Sequence, residues 1–476
     1  MEWEIVIGIE THAQLKTNSK IFSGASTSFG EEPNANACLV SLAYPGVLPV
    51  LNEEVVNCAI KFGLAVDAKI TEHSIFARKN YFYPDLPKGY QISQLDLPVV
   101  GEGSLIITVG DENKSIRILR AHLEEDAGKS VHGIEEGKSG IDLNRAGTPL
   151  LEIVTEPDMS SAEEAVTYAK KLHELVQWIG ICDGNMQEGN FRCDVNVSVK
   201  KKGDKELGTR REIKNLNSFK FIKQAIDYEV NWQIEKLEDG GKIKQATILF
   251  DPDSGETREM RSKEEANDYR YFPDPDLLPL VISQEKINSI KSEMYELPSQ
   301  MKLKLVKEFG LSNYDADGIT SKIDVANFFR ELLSFKVSAK LASNWILTNL
   351  FSRLNESNID IKNSPLRANK LAELILRIED KTISNNAAKK VFDEIWDQDE
   401  KVDDVIEKLG LKQISNLNEV EDILNQVLQD NEAMVEEYKS GKDKAFNALI
   451  GQVMKASKGK ANPGQVSQLL KDKLTD

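Results

Sequence analysis

The first third of the chain contains three groups of ionisable side chains of the types that bind a divalent cation. Glu10 and His12 stand two residues apart in a strand-like run, so both side chains project to the same side. The second group is His122-Leu123-Glu124-Glu125-Asp126, and the third is Glu152, which lies between apolar residues on a half-buried strand. A carboxylate in that setting needs a charged partner or a metal. The set is rich in oxygen ligands, which suits Mg²⁺ or Mn²⁺ better than a structural zinc.

Several alternatives to a metal site follow from the same residues. Each acid taken alone also fits an ordinary surface carboxylate or a salt bridge, and only the combination favours a metal. The stretch Ala127-Gly128-Lys129-Ser130 resembles the end of a phosphate-binding loop, but Leu123 stands where that loop requires Gly, and three acids follow it. Because those acids repel phosphate, a P-loop is excluded. The sequence also lacks the Gly-x-Gly-x-x-Gly, His-Glu-x-x-His and Gly-x-Ser-x-Gly motifs of dinucleotide folds, zincins and hydrolases.

Two segments combine aromatic rings with cationic side chains. Residues 76–94 include five aromatic and three cationic side chains, and residues 268–276 have a similar composition. Rings and cations of this kind can stack on and hold a nucleotide or the end of a tRNA. Such rings can equally pack back against the core of their own domain. The sequence leaves both possibilities open.

The elements that position these residues are predominantly strands. Runs rich in β-branched residues, such as 3–7 and 150–154, alternate with Gly, Pro and Asn to about residue 282, which predicts a largely antiparallel sheet. Two amphipathic helices interrupt the strands, one beginning at Ser161 with a capping box and one following Ser218. After residue 279 helices follow one another. The pattern predicts an α+β fold in which a sheet-based domain precedes an all-helical region.

The net charge of −17, from 77 acidic and 60 basic residues, argues against a surface that coats nucleic acid as a whole. The charge is unevenly distributed, however. Residues 393–437 contain 15 acids and three lysines, whereas residues 439–460 contain six lysines and one acid. Such segregation concentrates positive potential in a terminal segment where a polyanion can dock, although a solvated lysine-rich face also explains the cluster.

The remaining composition is that of a globular protein of the cytosol. Apolar residues make up 40 % of the chain and charged residues 29 %, which excludes the disordered and collagen-like classes. The sequence has neither a basic N-terminal segment followed by a long apolar run nor 18 consecutive apolar residues, so we expect neither secretion nor a membrane span. The four cysteines form no Cys-x-x-Cys pair, which predicts free thiols in a reducing, cytoplasmic compartment and no structural zinc.

Five long motifs of unusual composition follow one another along the chain. They are Ile7-Gly8-Ile9-Glu10-Thr11-His12, the segment 81–94, His122-Leu123-Glu124-Glu125-Asp126-Ala127-Gly128-Lys129, the segment 142–150, and Asp268-Tyr269-Arg270-Tyr271-Phe272-Pro273. Segments 192–198, 212–218 and 451–457 support them. In this order they resemble the B subunits of the aspartyl/glutamyl-tRNA(Asn/Gln) amidotransferases. The resemblance runs the whole length of the chain.

The resemblance implies a domain organisation and a reaction. A cradle domain would occupy residues 1–292, a helical domain 293–405, and a small helical tail similar to the YqeY family 406–476. In the reaction, ATP with Mg²⁺ phosphorylates the side-chain carboxylate of Glu-tRNA(Gln) or Asp-tRNA(Asn), and ammonia displaces the phosphate. The ammonia would come from a glutaminase A subunit, and a small C subunit would complete a heterotrimer. Such chemistry depends on positioning and charge neutralisation rather than on a protein nucleophile.

The resemblance also implies roles for individual residues. Glu10, His12, Glu125 and Glu152 are predicted metal ligands. Glu125 is also predicted to be catalytic, and Lys79, Lys88 and Arg145 are predicted to neutralise phosphate oxygens. The predicted lining of the ammonia route and site wall is Tyr81, Tyr83, Thr148, Asp194 and Asn196. The predicted tRNA-binding residues are Lys439, Lys442, Lys444, Lys455, Lys458 and Lys460.

Two other functions remain compatible with parts of the sequence. A non-catalytic tRNA-binding module would use the lysine-rich tail but would leave the metal-binding constellation without a role. A stand-alone metal-dependent phosphohydrolase would use the metal site but would leave the tail unexplained.

Overall fold

The computed structural model describes residues 2–262, 269–398, 400–413, 417–440, 442–457 and 460–475. Within it the chain forms two compact units, Met1–Pro298 and Ser299–Asp476. The domain boundaries predicted after residues 292 and 405 stay predictions. The mixed α+β class, with antiparallel sheets followed by a helical region, is confirmed.

The first unit is built from strands and four helices. The strands are β1 (Trp3–Gln14), β2 (His73–Ser74), β3 (Ala77–Asn80), β4 (Tyr90–Ser93), β5 (Gly103–Val109), β6 (Glu112–Glu125), β7 (Lys129–Glu135), β8 (Lys138–Asp142), β9 (Pro149–Thr155), β10 (Phe191–Lys201), β11 (Arg211–Leu216), β12 (Ala246–Asp251), β13 (Glu256–Ser262), β14 (Phe272–Pro273) and β15 (Leu280–Val281). The helices are α1 (Glu53–Ala65), α2 (Ala162–Trp178), α3 (Phe219–Glu238) and α4 (Gln284–Glu293).

Eight of these strands form the main sheet, in the order β13-β12-β11-β10-β1-β9-β6-β5. Every neighbouring pair is antiparallel except β11 and β12. Strand β1 therefore lies inside the sheet, between β10 and β9. Smaller sheets join β14-β3-β4, β15-β2 and β7-β8. The order places strands that are far apart in sequence side by side at the centre of the unit.

The two faces of the main sheet differ in character. On β1, β9 and β10 the residues alternate between buried and partly exposed, as period-2 strands with one covered face do. The buried set, which includes Thr11, Ile153 and Val195, lies under α2 and α3 in one large apolar core. The opposite set is polar, and it includes Glu10, His12 and Glu152. One face of the sheet is thus the core and the other carries the ionisable side chains.

The capping of α2 agrees in part with its sequence signature. Ser161 is the N-cap, and its hydroxyl accepts a hydrogen bond from the amide N of Glu164 at 3.1 Å. The Glu164 carboxylate accepts from the amide of Ser160 at 2.7 Å, one residue before the position that a capping box uses. The serine cap nevertheless fixes the start of α2, which packs against the core face of the sheet.

The second unit is helical throughout the part that the structure describes. Its helices are α5 (Pro298–Lys307), α6 (Asn313–Ile319), α7 (Ile323–Ser334), α8 (Ala339–Asn344), α9 (Phe351–Ser357), α10 (Ala368–Glu379), α11 (Asn385–Ile395), α12 (Val402–Lys408), α13 (Leu417–Asp430), α14 (Glu432–Lys439), α15 (Asp443–Ala456) and α16 (Pro463–Thr475). A π-helical segment, Trp345–Leu350, joins α8 to α9, and Ile361–Asn363 forms a 3₁₀ turn.

The last four helices have an apolar core of their own. Leu424, Leu449, Val453 and Leu470 are buried together in it. No described helix combines the length and the apolar character needed to cross a lipid bilayer. The last four helices thus form a small bundle on which Lys439, Lys442, Lys444 and Lys455 are exposed.

Candidate active site

A row of four side chains crosses the polar face of the main sheet. His122 on β6 pairs with Glu152 on β9, Glu152 pairs with His12 on β1, and His12 pairs with Arg192 on β10. Residues directly opposite in antiparallel strands project to the same side, so the four side chains are neighbours. The strand order therefore assembles residues from four separate parts of the sequence.

The centre of this row has the composition of a metal site. The Nε2 atom of His12 lies 3.3 Å from Glu152 Oε2 and 3.4 Å from Glu124 Oε1. His122 Nε2 lies 3.2 Å from Glu152 Oε2 and 3.8 Å from Glu124 Oε2. One ligand atom each from His12, Glu124 and Glu152 lie within 4.8 Å of one another, which is close enough to bind one ion. We call these three residues the metal group.

Charge balance in the metal group supports the same assignment. Burial opposes a charged imidazole, but hydrogen bonds and charges from Glu124 and Glu152 outweigh it and raise the pKa of His12 to about 10. The same carboxylates overcome burial and raise the pKa of His122 to about 9. Protons on the imidazoles therefore supply the positive charge that the carboxylates require. A divalent cation can take the place of a proton here, so the residues fit Mg²⁺ or Mn²⁺.

Glu10 lies beside the metal group but is not within it. Its pKa is raised by burial and then by the negative charge of Glu152. The amide Nδ2 of Asn196 donates to Glu10 Oε1 at 3.0 Å. Glu10 is thus a fourth oxygen donor near the metal group, held by the side chain of Asn196 on β10.

Glu125 does not join the metal group, contrary to its predicted role as a ligand. Alternation along β6 directs Glu124 and His122 to the polar face and Glu125 away from it. The Glu125 carboxylate is ion-paired with Lys88 and also accepts from the amide of Ile92 at 2.9 Å. The neighbouring Glu124 occupies the place that the sequence motifs predicted for Glu125. The spacing that groups Glu10 with His12 also groups His122 with Glu124.

Lys79 stands over two aromatic rings next to the metal group. Its Nζ atom lies 4.9 Å from the ring centroid of Tyr269 and 5.8 Å from that of Tyr81. Burial lowers the pKa of Lys79, but the charges of Glu124, Glu152 and the neighbouring tyrosines together outweigh burial, so the net pKa is raised. Tyr81 is in edge-to-face contact with Tyr83 at 5.9 Å and donates to Gln91 Oε1 at 3.4 Å. The structure thereby joins the two aromatic segments of the sequence around one ammonium group.

The chain is similar to known proteins along its whole length. A family model described as the GatB/GatE catalytic domain matches residues 5–288, and one described as the GatB domain matches residues 327–474. The B subunit of the aspartyl/glutamyl-tRNA(Asn/Gln) amidotransferase of Methylobacillus flagellatus is 64 % identical over 475 residues, covering 100 % of both chains. The proteins of that name from Dechloromonas aromatica (62 %, 99 % of each chain) and Chromobacterium violaceum (60 %, 100 % of each chain) are similarly close.

The chain belongs to this family of amidotransferase B subunits. The family resemblance drawn from the sequence motifs is thereby confirmed, and it covers the whole chain. The metal group lies within the part matched as the catalytic domain of the family. The lysine-rich tail lies within the part matched as the GatB domain.

The polar face of the sheet continues across β10, where Asp194 and Asn196 both project to this face. Their role as the wall of the site stays a prediction. The Lys214 Nζ atom on β11 lies 2.6 Å from Asp194 Oδ2 and 2.8 Å from Glu212 Oε1. The sequence motifs gave no role to Lys214 or Arg192, because the contact of Lys214 with Asp194 and the pairing of Arg192 with His12 depend on the strand order rather than on sequence spacing.

Arg145 and Thr148 lie in the turn before β9. The Arg145 guanidinium donates from Nε to the carbonyl of Ala127 at 3.1 Å and from Nη2 to that of Gly128 at 2.8 Å. Thr148 is buried, and its carbonyl accepts from the amide of Asp126 at 2.8 Å. These contacts tie the turn together, whereas Tyr83 is 55 % exposed. Among the residues predicted to bind phosphate or to line the ammonia route, Lys79 interacts through its charge with Glu124 and Glu152 of the metal group. Tyr81 has its ring beside the Lys79 ammonium.

The lysines of the family's C-terminal domain separate into two sets. Lys439, Lys442 and Lys444 lie around the turn between α14 and α15, all exposed, and Lys442 pairs with Glu437 Oε1 at 3.2 Å. Lys455 lies in the last turn of α15 and Lys460 in the loop before α16. The predicted Lys458 lies outside the described residues.

Proposed function

We propose that this chain activates the side-chain carboxylate of Glu-tRNA(Gln), Asp-tRNA(Asn) or both with ATP, and then converts it to the amide with ammonia. One observation carries the proposal. The His12, Glu124 and Glu152 side chains converge on the open face of the sheet, in a chain whose full-length relatives bear the name of this amidotransferase subunit. When bound there, Mg²⁺ supplies charge neutralisation for phosphate oxygens and lowers the barrier to phosphoryl transfer.

The proposed reaction has two steps. In the first, an oxygen of the side-chain carboxylate attacks the γ-phosphorus of ATP, the bond to the bridging oxygen breaks, and ADP leaves with the electron pair. In the second, ammonia attacks the carbonyl carbon of the acyl phosphate, inorganic phosphate leaves, and the nitrogen loses a proton. Neither step requires a nucleophile from the protein, which agrees with the absence of a recognisable catalytic triad in the sequence motifs.

Residues of this chain can serve both steps. Lys79 would neutralise phosphate oxygens beside Glu124, and Tyr81 has its ring next to that ammonium. Lys88 would hold the Glu125 carboxylate, Arg145 and Thr148 would hold the turn before β9, and Tyr83 would contribute its exposed ring to the ammonia route. These roles are part of the proposal.

A cleft beside the metal group supplies room for a substrate. It has a volume of about 290 Å³, and its lining includes Gly8, Glu10, Val154, Asn196 and Arg210. That volume is at the lower end of the range for small-ligand sites. Because Glu10 lines the cleft and lies beside the metal group, a ligand in the cleft would lie next to that group.

The proposal includes partners and a cellular location. Ammonia would come from a glutaminase A subunit, and a small C subunit would complete the heterotrimer. The exposed lysines at the two ends of α15 would hold the tRNA body through its phosphates. All four cysteines are free thiols, which suits a reducing cytoplasm.

One assay separates this function from its alternatives. The heterotrimer is incubated with Mg²⁺, labelled ATP and glutamyl-tRNA(Gln) or aspartyl-tRNA(Asn), and ADP is measured with and without the tRNA. We expect ADP release only with the aminoacyl-tRNA. Equal release without tRNA would favour a phosphohydrolase. Binding of tRNA with no ADP release would favour a non-catalytic module.

A further inference from the structure

Three buried nitrogen atoms on the polar face lack hydrogen-bond partners among the described residues. They are Arg120 Nε, His122 Nδ1 and Arg192 Nε. Buried side-chain nitrogens are normally paired, so each such atom marks a place where an acceptor is missing. Arg120 and Arg192 carry N–H donors of fixed positive charge, and both flank the metal group. Their clustering on one face points to a ligand with several negatively charged oxygens.

The two arginines stand on opposite sides of the metal group. Arg192 is on β10, directly opposite His12 on β1. Arg120 is on β6 in the next row, opposite Val154, which in turn is opposite Glu10. The backbones of β6 and β10 are three strand spacings apart, on the order of 14 Å. That separation is within the combined reach of two arginine side chains, so guanidiniums from both strands can contact one anion held between them.

Arg192 and Arg145 differ in the hydrogen bonds that their guanidinium groups make. Both guanidiniums approach Asp126, Arg192 Nη2 at 3.1 Å and Arg145 Nε at 3.4 Å from Oδ2. Arg145 donates hydrogen bonds from Nε and Nη2 to the main-chain carbonyls of Ala127 and Gly128. Arg192 has one such donor paired, to the Asp126 carboxylate that holds the head group in place. The two arginines thus differ at Nε, which is hydrogen-bonded in Arg145 but buried without a partner among the described residues in Arg192.

We propose that Arg120 and Arg192 bind the phosphoryl oxygens during transfer from the nucleotide to the substrate carboxylate. This role rests on the proposed function. As the bond from the γ-phosphorus to the bridging oxygen of ADP breaks and the bond to the carboxylate oxygen forms, charge spreads over the three remaining phosphoryl oxygens. Donors fixed on two strands stabilise that charge from both sides without moving. Neither arginine accepts or donates a proton in the step.

The test uses single variants Arg192→Ala, Arg192→Lys, Arg120→Ala and Arg120→Lys of the full heterotrimer. Arg117→Ala is the matched control, since Arg117 lies on the same strand as Arg120 but is 65 % exposed and pairs with Asp158. For each variant we measure kcat of tRNA-dependent ADP release, KM for the aminoacyl-tRNA and the glutaminase activity of the A subunit. Added guanidinium ion serves as a chemical rescue probe for both alanine variants.

We expect kcat to fall about 100-fold in each alanine variant, with KM for the aminoacyl-tRNA changed less than about twofold. Guanidinium should restore part of the loss, which a merely structural role would not allow. Arg117→Ala should match the wild type. If an alanine variant does not fold, the lysine variant decides, because an ammonium group cannot reproduce the planar fork.

Two results would overturn the proposal. One is kcat close to wild type in the alanine variants or, where those do not fold, in the lysine variants. The other is a loss of kcat in folded alanine variants that guanidinium does not relieve. A wild-type heterotrimer that releases no ADP in response to tRNA would instead refute the proposed function.

Discussion

Two adjacent glutamates, Glu124 and Glu125, have opposite surroundings. Burial and the charge of Glu152 raise the pKa of Glu124, but hydrogen bonds from His12 and His122 and the charge of His12 together outweigh them and lower it to about 2. Glu125 is 3 % exposed and is paired with Lys88 and a main-chain amide. The difference arises from the two-residue period of a strand, which turns consecutive side chains to opposite sides. One carboxylate is available to an ion and the other already has its cation.

We therefore expect Glu124→Gln to weaken Mn²⁺ binding about tenfold or more, because it removes one of three ligands. Glu125→Gln should leave Mn²⁺ affinity unchanged while lowering the free energy of unfolding by about 3 kcal/mol, since it leaves Lys88 buried without its counter-charge. Mn²⁺ titration followed by electron paramagnetic resonance and thermal unfolding measure the two effects. Equal losses of affinity in both variants would contradict the assignment of Glu124.

A dependence of metal affinity on pH follows from His12. In the absence of an ion the raised pKa of about 10 keeps its imidazole protonated at neutral pH. An ion bound at Nε2 must displace that proton, so Mn²⁺ affinity should rise about tenfold per pH unit between pH 7 and pH 9. His132→Gln, at an exposed histidine bonded to Ser139, should show the same slope as the wild type. A flat profile would exclude His12 as a ligand.

The same pKa directions set the pH dependence of stability when no ion is bound. The folded-state pKa values of about 10 for His12 and about 9 for His122 lie above the ordinary value of 6.5. Their contribution to the free energy of unfolding is therefore complete below pH 6.5 and declines as the pH rises through 9 and 10. Thermal unfolding measured across this range should show the decline, and added Mn²⁺ should reverse it, because it replaces the lost protons.

Helix α15 separates the lysines of the C-terminal segment into two sets. With 14 residues and a rise of 1.5 Å each, the helix is about 21 Å long. Lys439 and Lys444 lie near its start, and Lys455 and Lys460 lie near its end. A single phosphate cannot contact both sets. The tail therefore offers two separate sites to a polyanion.

Each set should contribute independently to tRNA binding. We expect the double variants Lys439→Ala/Lys444→Ala and Lys455→Ala/Lys460→Ala each to lower the slope of log affinity against log salt by about 1.4, which corresponds to two phosphate contacts. Their effects should add. Lys389→Ala/Lys390→Ala removes the same charge from the exposed side of α11 and should leave the slope unchanged. If all three variants kept the wild-type slope, the lysines would be a solvated face only.

Local patterns predicted the principal elements well. The run at 150–154 lies within β9, and the serines at 161 and 218 cap α2 and α3, because hydrophobic period and capping chemistry are local properties. The residues that meet His12 across the sheet were not predictable in the same way. Their positions depend on which strands pair, and β1 pairs with β9 and β10 rather than with its neighbour in sequence. Period-2 alternation could have indicated Glu124, but no local signal identifies Arg192.

The net charge of −17 is the sum of acidic and basic residues that lie in different parts of the molecule. Part of the negative charge lies in the metal group, where it is balanced by imidazolium and by Lys79. Another part lies in residues 393–437, ahead of the lysines of the C-terminal bundle. The net charge therefore indicates the local charge of neither the metal group nor the lysines of the C-terminal bundle. A polyanion would meet the exposed lysines of α15, and a divalent cation would meet the carboxylates of the sheet.

The central position of β1 has a consequence for synthesis of the protein. It is made before both of its neighbours, which are separated from it by more than a hundred residues. Until β9 and β10 have been translated, both of its edges lack their native partners and are open to pairing with other chains. Long-range pairings of this kind also form slowly. The nascent chain therefore carries His12 and Glu10 long before the strand that bears Glu152 exists, and β1 is a segment that a chaperone would have reason to cover during synthesis.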